Sequence, residues 1–263
     1  MTLTWSDNIN KQTIIDKFNA NVKGNQYNAE GYNKRHDGAE GHWLEVQMGI
    51  NPNANNEADL LGYEMKKDTR SKTTFGDWSP DLALWKRDRP QPEIPRIDRD
   101  SEFLQYFGKP NQKKNDRLSW SGEPAPTING YNAYGQILRV DENENILACY
   151  SYSEDTRSNK ATLIPDHFQR ENLILAVWLK DSIKTKLERK FNDKGWFKCY
   201  KDASGSYHSI GFGEPINYSN WIGLVKIGIV FFDSGMYQGN NRNYCQWRAY
   251  NKLWDSFVIS THP

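Results

Sequence analysis

A mixed α/β fold is what this chain predicts, and three observations carry that expectation. Apolar residues alternate with polar ones in "AYGQILRV", "NILACYSY" and "YCQWRAYN", the period of half-buried strands. They recur every three to four residues in "DNINKQTIIDKFNANV", the period of an amphipathic helix. The two kinds of run follow one another without the regular alternation of βαβ units.

Each element follows from its local chemistry. Residues 7–22 predict a helix with Ile9, Ile14, Ile15, Phe18 and Val22 on one face, closed by Gly24. The polar, glycine-punctuated "NQYNAEGYNKRHDGAEG" reads as a loop. Residues 39–50 predict a second helix, with Trp43, Leu44 and Met48 inward and Gly49 as its C-terminal cap. "NPNANNEAD" has turn chemistry, and "LLGYEMKKD" then reads as a strand with Leu61, Tyr63 and Met65 on one face and Gly62, Glu64 and Lys66 on the other. Residues 71–78 are expected to return as its hairpin partner. "SPDLALWKR" offers a serine cap and a proline at the first helical position, so a short helix is expected there. The prolines of "RDRPQPEIPR" exclude its continuation, and "DRDSEFLQYFG" suits another short helix. "DENEN" joins two strands into a hairpin. Residues 170–191 read as one long amphipathic helix, "KGWFKCYKDASGSYHSIGFG" as a further hairpin and residues 225–233 as a buried strand. The glycine- and asparagine-rich "SGMYQGNNRN" is a loop before the last strand.

The 263 residues suffice for one large domain or two lobes, and 10 Trp, 14 Tyr and 11 Phe exclude a disordered chain. These aromatics are expected mainly in cores. No apolar run is long enough for a membrane span, and the first residues lack the basic and apolar regions of a secretory signal. Three dispersed cysteines, Cys149, Cys199 and Cys245, have no metal-binding spacing and are expected as free thiols in a cytoplasmic protein. Net charge is +1, yet "MKKDTRSK", "WKRDRP" and "KPNQKKNDR" are locally basic, as solvated surface or as sites for an anionic partner. His36 and His42 flank the Glu45 helix and read as surface side chains, with a phosphate contact as the alternative, and His208 has no acid or cysteine partner at metal spacing.

One segment stands apart. Glu64 and Lys66 lie two apart on a strand and share a face, and Asp59 precedes them where the chain enters that strand. Glu45 comes from the helix expected to pack over it. Three carboxylates and an amine gathered at one point suit phosphodiester hydrolysis, which needs hard oxygen ligands for Mg²⁺ and a cation beside the attacking water. By itself D-x4-E-x-K is also the pattern of ordinary charges on an edge strand.

The surrounding residues make the pattern more specific. "EGHWLEVQMGINPNANNEADLLGYEMKKDTR" resembles the catalytic segment of MvaI- and BcnI-type restriction endonucleases, relatives of the MutH nickase in the PD-(D/E)XK superfamily. That pattern has a glycine, a helical glutamate, thirteen residues to an aspartate, then four to E-x-K; Gly41, Glu45, Asp59, Glu64 and Lys66 match it over about 30 residues. Near the C-terminus "FFDSGMYQGNNRNYCQWRAY" resembles the family's base-reading segment, with Trp247–Arg248 as its terminal pair. Asn241 and Asn243 stand where that family carries histidines or a histidine and an arginine, so the sequence read is open.

The resemblance implies a restriction-endonuclease-like mixed β-sheet core flanked by helices, with two lobes forming a DNA cleft. Residues 1–125 would be the catalytic lobe and residues 126–263 the recognition lobe. It implies a site-specific type II endonuclease that cuts double-stranded DNA with Mg²⁺, nicking a pseudosymmetric site one strand at a time. Asp59, Glu64 and the Met65 carbonyl would hold the metal, Lys66 would position the water and Glu45 would support them. Lys72, Thr73, Thr74, Asp233, Asn241, Arg242, Asn243, Gln246 and Arg248 would touch DNA. A monomer without an obligatory protein partner and without membrane contact is expected. A mismatch-repair nickase, or an aromatic-rich binding protein with no catalytic role, remain the alternatives.

Overall fold

The computed structural model describes residues 5–28, 30, 38–50 and 56–263. His36 and most of "NPNANNEAD" lie outside the described residues. In chain order the elements are α1 (Trp5–Asn21), α2 (Ala39–Gln47), β1 (Tyr63–Lys67), β2 (Lys72–Asp77) and β3 (Leu82–Ala83). A π-helical turn, Arg99–Phe103, leads into α3 (Leu104–Phe107), followed by β4 (Lys109–Asn111), β5 (Arg117–Trp120), β6 (Tyr134–Val140) and β7 (Ile146–Asp155). Next come α4 (Lys160–Leu163), β8 (Leu173–Trp178), α5 (Lys180–Phe191), β9 (Gly195–Lys201) and β10 (Tyr207–Gly213). The chain ends with α6 (Tyr218–Lys226), β11 (Phe231–Ser234), β12 (Met236–Tyr237), β13 (Cys245–Tyr250), α7 (Asn251–Ser256) and β14 (Val258–His262).

These elements form two compact units, each drawing on distant parts of the chain. The first comprises residues 1–73, 185–217 and 250–263; the second comprises residues 74–184 and 218–249.

The first unit is built on a mixed sheet in the order β1-β9-β10-β14, with β1 parallel to β9 and the other pairings antiparallel. One sheet face carries Tyr63, Met65, Phe197, Cys199 and Phe212, and packs against Ile14, Ile15 and Phe18 of α1 and Trp43 and Leu44 of α2. Ile9 is the exception to the expected face of α1 and is 47% exposed. α2 ends as its sequence dictates, Met48 capping it and Gly49 taking φ +71° just beyond.

The second unit contains an antiparallel sheet in the order β3-β8-β7-β6, a sheet β11-β13-β2 and a small sheet β12-β5-β4. Its core is aromatic: Trp178, Trp221 and Phe232 surround the Trp247 ring at centroid distances of 5.4, 5.6 and 5.5 Å. Buried Gln136 is satisfied by Trp120 Nε1 at 2.6 Å and by donating to the Phe107 carbonyl at 2.7 Å.

Four sequence expectations are corrected. Residues 71–78 form β2, but its hydrogen-bonded neighbour is β13, and the partner of β1 is β9. Residues 79–87 carry no helix; Asp81 and Leu84 donate to Val177 and Leu175 carbonyls instead, so pairing with β8 overrides the helical start signal. Residues 170–191 are strand then helix. β8 is buried along nearly its whole length between β3 and β7, and a strand covered on both faces reads as a continuous apolar run that periodicity does not separate from helix. α5 starts only where Asn145 and Asp81 side chains accept from the Lys180 and Leu179 amides. Residues 225–233 are not one buried strand: α6 ends at Lys226, Gly228 turns the chain at φ +73°, and β11 begins at Phe231.

Candidate active site

The site lies on the sheet face of the first unit opposite α1 and α2. Strand alternation sends Tyr63 and Met65 into the core and puts Glu64 and Lys66 on the other face, beside Trp196 and Lys198 of the parallel neighbour β9. There Lys66 Nζ stands 4.9 Å from the Phe191 ring centroid and 5.9 Å from that of Trp254.

A tight turn brings Asp59 to the same place. Leu60 and Tyr63 exchange backbone hydrogen bonds, and the two residues between them, Leu61 and Gly62, both have positive φ, +52° and +85°. This is the pattern of a two-residue type I′ hairpin turn, so Leu61 belongs to a turn and not to the strand face expected for it, and it is exposed. The turn folds Asp59 back so that its Oδ2 accepts from the Met65 amide at 2.8 Å. Asn56, just upstream, donates to the Lys186 carbonyl of α5 at 2.6 Å.

Charge is concentrated here. Glu64 Oε1 accepts from Lys66 Nζ at 2.8 Å and from Lys190 Nζ at 2.9 Å. Glu64 Oε2 is buried with no hydrogen-bond partner among the described residues. Burial alone would push the Glu64 carboxyl upward, but the two lysines outweigh it and hold it below the ordinary value. Burial, and then the charge of Glu64, push Asp59 up to about 7. Burial draws Lys66 down against the pull of Glu64. An unpartnered carboxylate oxygen beside a second carboxylate that resists ionisation is the electrostatic environment a hard divalent cation relieves, so the donor set fits such an ion.

Glu45 is not drawn into this cluster. α2 packs on the Tyr63–Met65 face, and Glu45 Oε2 is 3.4 Å from His42 Nδ1. Among the described residues no three His, Cys, Asp or Glu side chains converge as a metal site. Lys67 points to the α2 side and pairs with Glu40 at 3.7 Å.

Two lysines of this face were not legible in the sequence. Lys190 comes from α5, and Lys198, almost fully buried, pairs with Asp255 at 3.0 Å and Asp68 at 3.3 Å. Neither stands in a motif; Lys190 is one of several cations along its helix.

The residues expected to meet DNA have distinct placements. Lys72 is half-buried, while Thr73 is buried with its hydroxyl 2.8 Å from that of Thr69 and donating to Asn251 Oδ1 at 3.0 Å. Thr74 donates to the Trp247 carbonyl at 3.2 Å. In the second unit Arg248 of β13 pairs with Asp233 of β11 at 2.8 Å, and Gln246 lies opposite Asp233 in the same ladder. Asn241 and Arg242 are exposed. Asn243, with its amide oriented to satisfy its neighbours, accepts from Arg99 Nε at 2.8 Å and Nη1 at 3.0 Å. Arg99 also donates to the Asn240 carbonyl at 3.3 Å, so this arginine, absent from the sequence expectations, braces the loop.

Comparison with known proteins agrees with this architecture. A sequence profile described as LlaMI restriction endonuclease matches residues 22–262. The type II restriction enzyme ScrFI of Lactococcus lactis subsp. cremoris is 46% identical over 270 residues, covering 97% of this chain and 99% of that one. The restriction endonuclease MvaI, solved as a complex with its cognate DNA substrate, shares the fold at a TM-score of 0.59 and 12% identity, covering 99% of both chains.

Proposed function

The chain belongs to the LlaMI restriction endonuclease family, and from that premise we propose how its residues carry out the reaction. It is a type II restriction endonuclease, an enzyme that hydrolyses phosphodiester bonds of DNA. The two alternatives left open by the sequence, a repair nickase and a non-catalytic binding protein, give way to that assignment. The observation that supports the mechanism best is the buried Glu64–Lys66 pair with half-buried Asp59 beside it, one Glu64 oxygen being unpartnered among the described residues.

Restriction endonucleases generally depend on a metal ion, and we assign Mg²⁺ to this one. Asp59, Glu64 and the Met65 carbonyl would hold it, three hard oxygen donors of the kind that ion takes. Bound there, it would neutralise the non-bridging phosphate oxygens and lower the pKa of a coordinated water. Lys66 leaves Glu64 to orient the attacking water and offset charge developing on the phosphate. The Phe191 and Trp254 rings keep its amine in a dry place, and Met65 N–H keeps Asp59 aimed. Glu45, on the other side of the strand and beside His42, is left out of this scheme, since it makes no contact with the group that the resemblance would have it support.

We assign catalysis to the first unit and sequence recognition to the second, with double-stranded DNA as the partner of both. Asp233, Gln246 and Arg248 offer a polar row along paired strands, and Asn241, Arg242 and Asn243 lie on the loop leading into it. Arginine and asparagine there suit guanine and adenine edges in the major groove. Lys72 and Thr74 are candidates for phosphate contacts, whereas Thr73 serves packing. With one such group among the described residues, a monomer cuts one strand per encounter and rebinds in the opposite orientation for the second.

Digestion of a genome of known sequence with Mg²⁺, followed by sequencing of the fragment ends, tests this reading. Ends that share one short sequence are expected. Random ends, or no cutting with either Mg²⁺ or Mn²⁺, would overturn it.

A further inference from the structure

Glu64 carries two ammonium groups on one oxygen, and the second of them comes from α5, far along the chain from the D-x4-E-x-K segment. Lys190 Nζ stands 2.9 Å from Glu64 Oε1, its side chain 20% exposed, while the Glu64 side chain is 3% exposed. A single lysine would neutralise Glu64. Two lysines match the fully ionised Asp59–Glu64 pair as a whole, and once a divalent cation joins that pair its charge alone balances both carboxylates, so neither lysine is needed for neutrality. Lys66 is the one with somewhere to go, since it belongs to the catalytic triplet. The consequence for the carboxylate is geometric: both lysines sit on Oε1, and Oε2 is left buried and unpartnered.

We propose that Lys190 is a positioning residue of the active site: it holds Glu64 Oε1 so that Oε2 stays turned toward the divalent cation and Lys66 is released to the attacking water. This rests on the nuclease reading above. It differs from a phosphate contact, which would act on DNA affinity, and from an ordinary surface ion pair, which would contribute little to anything. Residues that orient a metal ligand characteristically affect metal affinity by about 10–100-fold.

The test uses Lys190→Met, which keeps the length and removes the charge, and Lys190→Arg, which keeps the charge. Mn²⁺ binding to the intact protein without DNA is followed by the EPR signal of the free ion, alongside duplex affinity and single-turnover cleavage. Thermal melting verifies that each variant is folded. Lys190→Met is expected to weaken Mn²⁺ binding by about tenfold, to slow single-turnover cleavage by a similar factor at saturating Mn²⁺, and to leave duplex affinity unchanged. Lys190→Arg is expected to recover most of both losses. Unchanged or tighter Mn²⁺ binding in Lys190→Met overturns the proposal, as does duplex affinity that falls in step with the rate. Absence of Mn²⁺ binding by the unaltered protein overturns it as well. Failure of the unaltered protein to cut DNA would count against the nuclease reading instead, since the Mn²⁺ titration reads Lys190 without cleavage.

Discussion

Asp59 and Lys66 are the residues whose surroundings bear most directly on chemistry. Lys66→Ala is expected to reduce cleavage by at least about a hundredfold, with duplex binding largely kept; single-turnover cleavage and filter binding check the two halves. Asp59 sets a pH dependence in metal-free protein. Its folded value is about 7 against an ordinary 3.8, so the folded state keeps a proton that the unfolded chain has already lost. The stability it contributes is complete below about pH 3.8 and is lost as pH rises through 7. Melting of the metal-free protein is expected to fall across that window, and Asp59→Asn is expected to flatten the fall. In the second unit, Arg248→Ala removes the ion pair with Asp233. It is expected to cost about 1–3 kcal/mol of discrimination against altered sites, read from cleavage of matched and single-mismatch duplexes.

Among the elements, the turn before β1 brings Asp59 to the Met65 amide. Leu61 occupies left-handed backbone, where a bulky side chain is strained, and it is 42% exposed, so burial offsets only part of that cost. Leu61→Asn is expected to raise stability by up to about 1 kcal/mol with cleavage retained. Gly62→Val is expected to do the opposite and to cut activity too: φ is +85°, and an added Cβ would fall 2.4 Å from Asp193 Oδ2. Thermal melting and cleavage rate together distinguish these outcomes. The junction at Thr69, Thr73 and Asn251 holds the end of β1 near the start of α7 by side-chain hydrogen bonds, which keeps Trp254 against Lys66.

At the scale of the molecule, a net charge of +1 means that DNA binding depends on where cations are placed, not on their total. One Asp59–Glu64–Lys66 group per chain has a kinetic consequence. A supercoiled plasmid with one recognition site is expected to pass through an open-circle form that accumulates before the linear product, and chelation of divalent metal is expected to stop both steps. Direct conversion to linear DNA on a gel would show two sites acting together and would sink the sequential scheme.

The sequence by itself determined which charged groups share a face of β1. Alternation in "YEMKK" was enough to put Glu64 and Lys66 on one face, and the residues around it resembled a nuclease strongly enough to name the reaction class. It also determined α1, α2 and the hairpins β6–β7 and β9–β10, because their signals are local: one apolar stripe, one cap, one turn. Tertiary structure decided what no local signal carries. The parallel pairing of β1 with β9, the pairing of β2 with β13 and the burial of β8 on both faces join residues more than a hundred positions apart or hide the period that marks a strand. Lys190 reaches Glu64 for the same reason, across 126 positions. The side of β1 on which Glu45 sits was settled by where Trp43 and Leu44 could be buried. Apolar area buried by the helix outweighs the reach of one carboxylate.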